Sequence, residues 1–302
     1  MTDSIDDSAA PLMEHLAELR NRLIWSVTAF LVAMILCFVV AEPILDFLLA
    51  PIEQSMRALG DPNPIMQYTA PQEYFFTLVH ISVVAGLMVS FPVIAYQLWR
   101  FVAPGLYRSE KQAFLPFLLA SPLLFLTGAG FAHFVVTPIA MTFFLGFADS
   151  YSLLTALIPA LTDAPVTEIV QPKPDTGIDI VFQGKVNETL GISLKLIVAF
   201  GLCFQLPVLL TLMGKAGLAT SAGLAGMRKY AIVLILIVAA LVTPPDVMSQ
   251  LILFAAVYPL YEVSIFLIRQ IEKRREAELR AEGLWDDETD GPAAQKDTET
   301  KA

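Results

Sequence analysis

The sequence predicts an all-α membrane protein with six transmembrane helices and both termini in the cytoplasm. Of its 302 residues, 56% are hydrophobic and only 16% are charged, which is too apolar for an ordinary soluble domain. Several uncharged stretches reach the roughly 20 residues that a helix needs to cross about 30 Å of hydrocarbon. Basic residues also concentrate in alternate connections between these stretches.

The first four spans are predicted from stretches that contain no charged residue. These stretches are residues 23–41, 74–99, 112–148 and 196–214. The third is long and carries Pro116, Pro122 and Pro138. Two spans would need at least about 40 residues and a turn, so we predict one tilted or kinked helix there.

The last two spans are predicted on either side of Thr243-Pro244-Pro245-Asp246, where two prolines and a charge force a turn. Residues 230–245 number only 16, which corresponds to about 24 Å of helix. We therefore expect short fifth and sixth spans. Two interpretations stay open: flanking charges reach the headgroups, or the bilayer is locally thinned to ease passage of something large.

The orientation follows from the enrichment of Lys and Arg in cytoplasmic loops near span ends. The basic residues that border the predicted cytoplasmic ends are Arg20, Arg22, Arg100, Arg108, Lys111, Lys215, Arg228, Lys229, Arg269, Lys273, Arg274 and Arg275. The acidic N-terminus has no basic residue before Arg20, which argues against a cleaved signal peptide or a transit peptide. A bacterial inner membrane is the expected location.

Three regions are predicted along the chain. Residues 1–22 form a cytoplasmic amphipathic segment, and residues 23–268 form the six-helix transmembrane domain, including an extracytoplasmic loop at 149–188. Residues 269–302 are a cytoplasmic helix extension followed by a disordered acidic tail. The net charge of −10 is largely carried by the end segments and this loop.

The composition and motifs exclude several classes of function. With 19 Lys and Arg against 29 Asp and Glu, and no nucleic-acid motif, binding of DNA or RNA is not expected. No nucleotide-binding, hydrolase or metal motif occurs, so neither an enzyme nor a cofactor is predicted. Cys37 and Cys203 lie in apolar runs and are predicted to pack. His15, His80 and His133 are scattered, and a lone intramembrane histidine is expected to be a hydrogen-bonded packing residue.

Glu18 lies in a segment whose leucines recur at steps of three and four residues, the pattern of an amphipathic interfacial helix. It falls on the polar side with Glu14. One interpretation is an i,i+4 ion pair with Arg22, worth a few tenths of a kcal/mol. The other is a carboxylate that binds a ligand.

Glu110 also has two interpretations. Ser109 and Gln112 have the spacing of a capping box, and an acid in a first helical turn interacts favourably with the helix dipole. Alternatively, Glu110 is a second acid that binds a ligand on the cytoplasmic face.

Three motifs together resemble the TatC family, the polytopic subunit of the twin-arginine protein translocase. They are HLAELRNRL at 15–23, WRFVAPGLYRSE at 99–110 and LVTPPDVMSQ at 241–250. The resemblance extends from about Pro11 to about Arg269. It implies a subunit that binds twin-arginine signal peptides of folded proteins and starts their export, driven by the proton-motive force. It also implies single-span partners of the TatA/TatB type, self-association and contact with membrane lipid.

The resemblance implies that Glu18 and Glu110 engage the two arginines of the signal peptide. A planar guanidinium forms paired, charge-assisted hydrogen bonds with a carboxylate, so the chemistry is suitable. Arg20 and Phe101 match positions of the same recognition surface. Without the resemblance, Arg20 would be a topology determinant and Phe101 an interfacial aromatic residue.

Further matches suggest structural or partner-docking roles. Pro51 matches a family proline after span one, or is simply a helix stop. Asp246 and Gln250 lie at the extracytoplasmic turn, where Asp246 could instead cap span six. Gln205 stands where many family members carry a glutamate; it cannot titrate, although it can hydrogen bond with a partner. His133 stands where a tyrosine is common.

Glu262 lies inside the last apolar run, and intramembrane acids are functional candidates by default. It is expected to pair with Arg269 or with a neighbouring helix.

The sequence lacks the features that two other functions would require. An ion-coupled small-molecule transporter predicts a titratable midplane cluster and internal repeats, and neither is evident in the sequence. An intramembrane hydrolase would need a nucleophile and a base at workable spacing, which do not appear.

Overall fold

The computed structural model describes residues 3–58, 61–102, 115–145, 184–243 and 247–281, and these residues are predominantly helical. The helices are α1 Asp3–Val39, α2 Ala41–Ala58, α3 Pro71–Val102, α4 Leu115–Phe131, α5 Val186–Cys203, α6 Leu206–Lys215, α7 Ser221–Gly226, α8 Arg228–Val242 and α9 Val247–Ala281. Two short strands, β1 Met66–Gln67 and β2 Gly184–Lys185, pair in parallel. The prediction of an all-α membrane protein is confirmed.

Five helical runs in the described part of the chain are long and apolar enough to cross a bilayer. They are Leu16–Val39, Pro71–Phe101, Phe117–Leu145, Val186–Lys215 and Ser249–Glu278. The predicted fifth span is α8, whose 15 residues extend over only about 22 Å. The count of six spans therefore stays a prediction.

The helix that carries the predicted sixth span, α9, is 35 residues long because it includes the helix extension predicted after Arg269, and the length of the span itself stays a prediction. Pro259 lies inside α9 without ending it. The charged segment after Arg269 is rich in good helix formers, so the helix continues to Ala281.

A single residue, Val40, separates α2 from α1, and α2 was not predicted as a separate element. Pro51 is buried inside α2, so the interpretation of Pro51 as a helix stop is wrong. A proline removes one helical hydrogen bond. Burial of one face of α2, which includes Leu48 and Ile52, supports the helix through this position.

The third predicted span is one helical run, as expected, rather than two. The α4 helix passes through a π-helical turn at Ala132–Val136 and continues to residue 145. A π-turn accommodates one additional residue within an α-helix. The prolines at 122 and 138 therefore do not divide the run.

The fourth predicted span differs from the sequence prediction at both its start and its middle. It begins ten residues early, at Val186, so the predicted loop at 149–188 ends too late; residues 146–183 lie outside the described residues. The run is interrupted at Phe204 and Gln205, between α5 and α6. The Gln205 N–H donates to the carbonyl of Leu202 at 3.0 Å, a tighter i→i−3 bond, just before the helix-restricting Pro207.

The chain divides into two compact units. The first comprises Met1–Gln205 and Leu236–Ala255. In it, α1 packs on α3 and α4 packs on α5. Gly86 allows the first contact, because a Cβ there would lie 2.7 Å from the Cα of Met34 on α1. Outward apolar side chains such as Leu36, 62% exposed, suit contact with lipid.

The second unit comprises Leu206–Ile235 and Ala256–Ala302. Within it, two side chains of α9 accept or donate hydrogen bonds with the backbone and side chains of α7. The Tyr261 hydroxyl donates to the carbonyl of Leu224 at 2.7 Å. The Glu272 carboxylate accepts from the backbone N–H of Ser221 at 2.8 Å and from its hydroxyl.

Candidate functional site

An open groove of about 540 Å³ lies between α1 and α3 in the first unit. The α1 residues that line it follow the i, i+3, i+4, i+7 spacing of one helix face, and those from α3 are three residues apart. The lining residues are Glu18, Asn21, Arg22, Trp25, Gln97 and Arg100.

Glu18 forms an ion pair with Arg22 on the next turn of α1. The Arg22 Nε lies 3.1 Å from Oε1 of Glu18, and Nη2 of Arg22 donates to the same oxygen. The Glu18 side chain is 36% exposed, whereas the Arg22 side chain is 15% exposed. The i,i+4 pair predicted from the sequence is therefore formed, and the carboxylate stays accessible from the groove.

The other walls of the groove are cationic, polar and aromatic. The Arg100 guanidinium lies 5.9 Å from the centroid of the Tyr96 ring, and its Nη1 donates to the Tyr96 hydroxyl at 3.3 Å. Asn21 and Gln97 contribute amides that both donate and accept hydrogen bonds. The groove thus presents an accessible carboxylate beside polar groups, with the Trp25 indole as an apolar surface.

The structure brings only part of the predicted signal-peptide site together. Glu18 lines the groove. Arg20 is exposed but is not a lining residue, because two helical positions rotate a side chain by about 200°. Phe101 is half-buried next to Arg100, and Glu110 lies outside the described residues.

Of the groove residues, sequence reasoning assigned only Glu18 to the site and missed five: Asn21, Arg22, Trp25, Gln97 and Arg100. The helical spacing from Glu18 would have predicted Asn21 and Trp25 on the same face. Gln97 could not be found this way, since its position beside α1 depends on the packing of α3.

Gln205 is held within its own chain by Ser121 of α4. The Ser121 hydroxyl donates to Oε1 of Gln205 at 2.7 Å, and Nε2 of Gln205 donates to the Ser121 carbonyl at 2.8 Å. Both ends of the amide therefore have a partner 84 positions earlier in the sequence.

His133 lies in the π-turn and is only 3% exposed. Its ring stacks on Phe47 of α2 with centroids 4.5 Å apart, and it meets Phe134 edge to face. Neither ring nitrogen has a hydrogen-bond partner among the described residues. The expectation of a hydrogen-bonded histidine is wrong, because its aromatic neighbours offer no conventional acceptor.

The remaining predicted docking residues are spread over the chain. Pro51 is buried in α2, and Gln250 is half-buried in the first turn of α9. Asp246 lies outside the described residues, and so does the predicted alternative in which it caps span six.

Glu262 pairs with a neighbouring helix, one of the two predicted arrangements. Nε and Nη2 of Arg228 donate to its two carboxylate oxygens at 2.8 and 3.0 Å, and the Tyr258 hydroxyl donates at 3.0 Å. The alternative pair with Arg269 is therefore wrong. An arginine guanidinium is charged at any physiological pH, so this contact is an ion pair between two helices.

Comparison with known proteins extends over most of the chain. The family model described as Sec-independent protein translocase protein (TatC) matches residues 14–255. The TatC of Magnetococcus marinus is 42% identical over 294 residues, which cover 95% of this chain and 97% of that protein. The TatC of Aquifex aeolicus is 37% identical over 270 residues, which cover 89% of this chain and 99% of that protein.

Solved structures agree with the sequence relatives. A crystal structure of the twin arginine translocase receptor TatC matches with a TM-score of 0.65 and 38% identity, covering 85% of this chain and 98% of that one. Similarity in sequence and in fold thus covers most of the described helices. The chain belongs to the TatC family and is a subunit of the Sec-independent protein translocase.

Proposed function

We propose that this translocase subunit recognises twin-arginine signal peptides in the groove around Glu18. The observation that carries the proposal is an accessible carboxylate in an open groove between two helices. The solved relative is described as a twin arginine translocase receptor, which supports the same role here.

The groove has suitable chemistry for an arginine side chain. An ionised carboxylate accepts charge-assisted hydrogen bonds from a guanidinium in two parallel directions, which a lysine ammonium cannot reproduce. Trp25 offers an aromatic face on which a guanidinium or an apolar residue can stack. In this proposal Glu110 binds the second arginine, and Arg20 and Phe101 belong to the surrounding surface.

We further propose that the protein has six spans with both termini in the cytoplasm of a bacterial cell, so that the groove faces newly folded substrates. The alternation of basic connections supports this orientation. In this arrangement α8 is the fifth span. At about 22 Å it is shorter than the hydrocarbon core and would thin the bilayer locally.

The subunit is proposed to act without catalysis, with single-span TatA/TatB-type partners, further copies of itself and membrane lipid. Pro51, Asp246 and Gln250 remain the proposed structural or docking positions. Docking through Gln205 would require a partner to replace the two hydrogen bonds that Ser121 makes. Docking at His133 would require the Phe47 ring to move.

The test is to replace Glu18 with Gln and to follow export of a folded reporter that carries a twin-arginine signal. We expect a loss of about tenfold or more, because a hydrogen bond to a charged group is worth roughly 1.5–3 kcal/mol. Glu53→Gln is a matched control, since Glu53 forms an equivalent exposed i,i+4 pair with Arg57 on α2.

Binding of a twin-arginine peptide to the purified protein gives a second measurement, with a twin-lysine peptide as comparison. Glu110→Gln tests the second acid in the same assays. Undiminished export and binding in both Glu variants would overturn the site. Loss of small-solute uptake with intact export would favour the transporter.

A further inference from the structure

We propose that Arg22 is a built-in competitor that occupies the signal peptide's position on Glu18 until the peptide displaces it. This inference rests on the proposed function of the groove. It assigns to Arg22 the role of lowering the apparent affinity of the site, so that only a peptide that binds Glu18 well can displace it.

The contact between Arg22 and Glu18 has the chemistry expected of the bound peptide. Two nitrogens of the Arg22 guanidinium donate to one oxygen, Oε1, of the Glu18 carboxylate, which is a guanidinium–carboxylate contact of the kind an incoming arginine would make. Arg22 also lines the groove and is the more buried of the two side chains. An arginine approaching from the groove therefore meets a carboxylate that already holds a guanidinium.

The ion pair is weak enough to be displaced. Partly exposed i,i+4 pairs stabilise a helix only slightly, so the open state in which Glu18 has released Arg22 is a substantial minority. The apparent affinity for a ligand is reduced by the fraction of competent protein. For an i,i+4 pair of this kind the reduction is about two- to threefold.

Competition of this kind has a distinct signature. Arg22 lowers the affinity of every cationic ligand for Glu18 by the same factor, because the same open state must form first. The preference for arginine over lysine then comes from the geometry of the carboxylate, whereas Arg22 keeps weakly binding peptides below the threshold. Removing Arg22 should tighten both peptides and leave their ratio unchanged.

Two other roles for Arg22 predict different results. If Arg22 holds the Glu18 side chain in its binding orientation, its removal weakens binding. If Arg22 only contributes positive charge, Arg100 on the opposite wall should have a similar effect, since it lines the same groove and makes its described contacts with Tyr96.

The experiment measures the binding of a twin-arginine peptide and a twin-lysine peptide to the full-length protein in detergent. The variants are Arg22→Gln, Arg22→Lys, Arg100→Gln and Glu18→Gln, with Arg57→Gln as the control for loss of an i,i+4 pair outside the groove. We expect Arg22→Gln to bind both peptides about two- to threefold more tightly. Arg22→Lys, which keeps the charge but loses the paired donors, should show a smaller gain in the same direction.

The outcomes separate this inference from the proposed function. Weaker or unchanged binding by both Arg22 variants, with binding abolished in Glu18→Gln, overturns the competitor and leaves the site intact. An equal gain in Arg22→Gln and Arg100→Gln also overturns it in favour of a charge effect. Unchanged binding in Glu18→Gln overturns the proposed site itself. Should Arg22→Gln not fold, Arg22→Lys alone decides by the sign of its effect.

Discussion

Gln205 and His133 are two polar side chains in apolar helical runs of the same unit, yet their surroundings differ. Gln205 has both ends of its amide hydrogen bonded to Ser121. His133 is nearly fully buried, and both of its ring nitrogens lack a partner in the described structure. A buried polar group costs roughly 1–3 kcal/mol when it is left unsatisfied. We therefore expect the presence of a partner, and not the polarity of the side chain, to determine the effect on stability.

The difference has a structural cause at each position. Gln205 lies at the break between α5 and α6, where α4 approaches closely over Gly128. His133 lies in a π-turn, with Phe47 stacked on its face. The packing at Gln205 places a serine within hydrogen-bonding distance of the amide. The packing at His133 places aromatic rings around the imidazole instead.

The largest expected loss of stability comes from a substitution at Gly128, where α4 approaches α5 closely and so brings Ser121 to Gln205. An added Cβ at Gly128 would lie 2.6 Å from the backbone oxygen of Phe200, so Gly128→Ala must move α4 away from α5. We expect a loss of about 1–3 kcal/mol or more, measured by denaturation in detergent. Gly130→Ala is the matched control, because a Cβ there meets nothing within 4 Å. Equal stability of the two variants would contradict this packing.

A double-mutant cycle measures the Gln205 pair itself. Ser121→Ala and Gln205→Leu should each destabilise the protein by about 1–2 kcal/mol, since the first removes the donor to Oε1 of Gln205 and the second removes the acceptor of the Ser121 hydroxyl. The bond from Nε2 of Gln205 to the backbone carbonyl of Ser121 remains in Ser121→Ala. The coupling energy between the two side chains should be about 0.6 kcal/mol, the average for hydrogen bonds between membrane helices, and at most about 1.7 kcal/mol. Additive effects would mean that the two side chains do not interact.

A substitution at His133 is expected to stabilise the protein rather than to destabilise it. His133→Phe removes two nitrogens that have no described partner, so the protein should become more stable by up to about 1 kcal/mol. His80→Phe is the comparison, because His80 is only half-buried in α3. The same denaturation assay applies, and a clear loss of stability in His133→Phe would show that its nitrogens have a partner.

The smallest effect concerns the ring that covers His133. Phe47→Leu removes the stacked pair, which is worth about 0.5–1.5 kcal/mol beyond its buried area. Phe266→Leu serves as the control, because this phenylalanine is also exposed and has no ring contact among the described residues. If Phe47→Leu destabilises the protein no more than this control does, the stacking on His133 contributes nothing measurable.

Much of the architecture could be predicted from the sequence, because charge-free length and proline position act locally. The single helical run through the π-turn, the apolar spans and the Glu18–Arg22 pair all follow from residues close together in the chain. The α2 helix and the interruption at Gln205 did not follow. The first depends on packing that supports a helix through Pro51, and the second on a tighter turn that forms just before Pro207.

The candidate site likewise combines features that follow from the sequence with features that depend on helix packing. The motif around Glu18 and its spacing along α1 are properties of the sequence, and they predict a carboxylate on one helix face. The groove, with Gln97 and Arg100 as its second wall, exists only because α3 packs on α1 over Gly86.

By itself, the sequence determined the all-α membrane class, the family resemblance and the acid that the proposed site depends on, because these reside in composition and short motifs. Only the tertiary structure decided which polar side chains are satisfied. Ser121 reaches Gln205 across 84 positions, Arg228 reaches Glu262 across 34, and His133 meets Phe47 instead of a hydrogen-bond acceptor. Contacts between distant residues depend on helix packing, which local pattern does not encode.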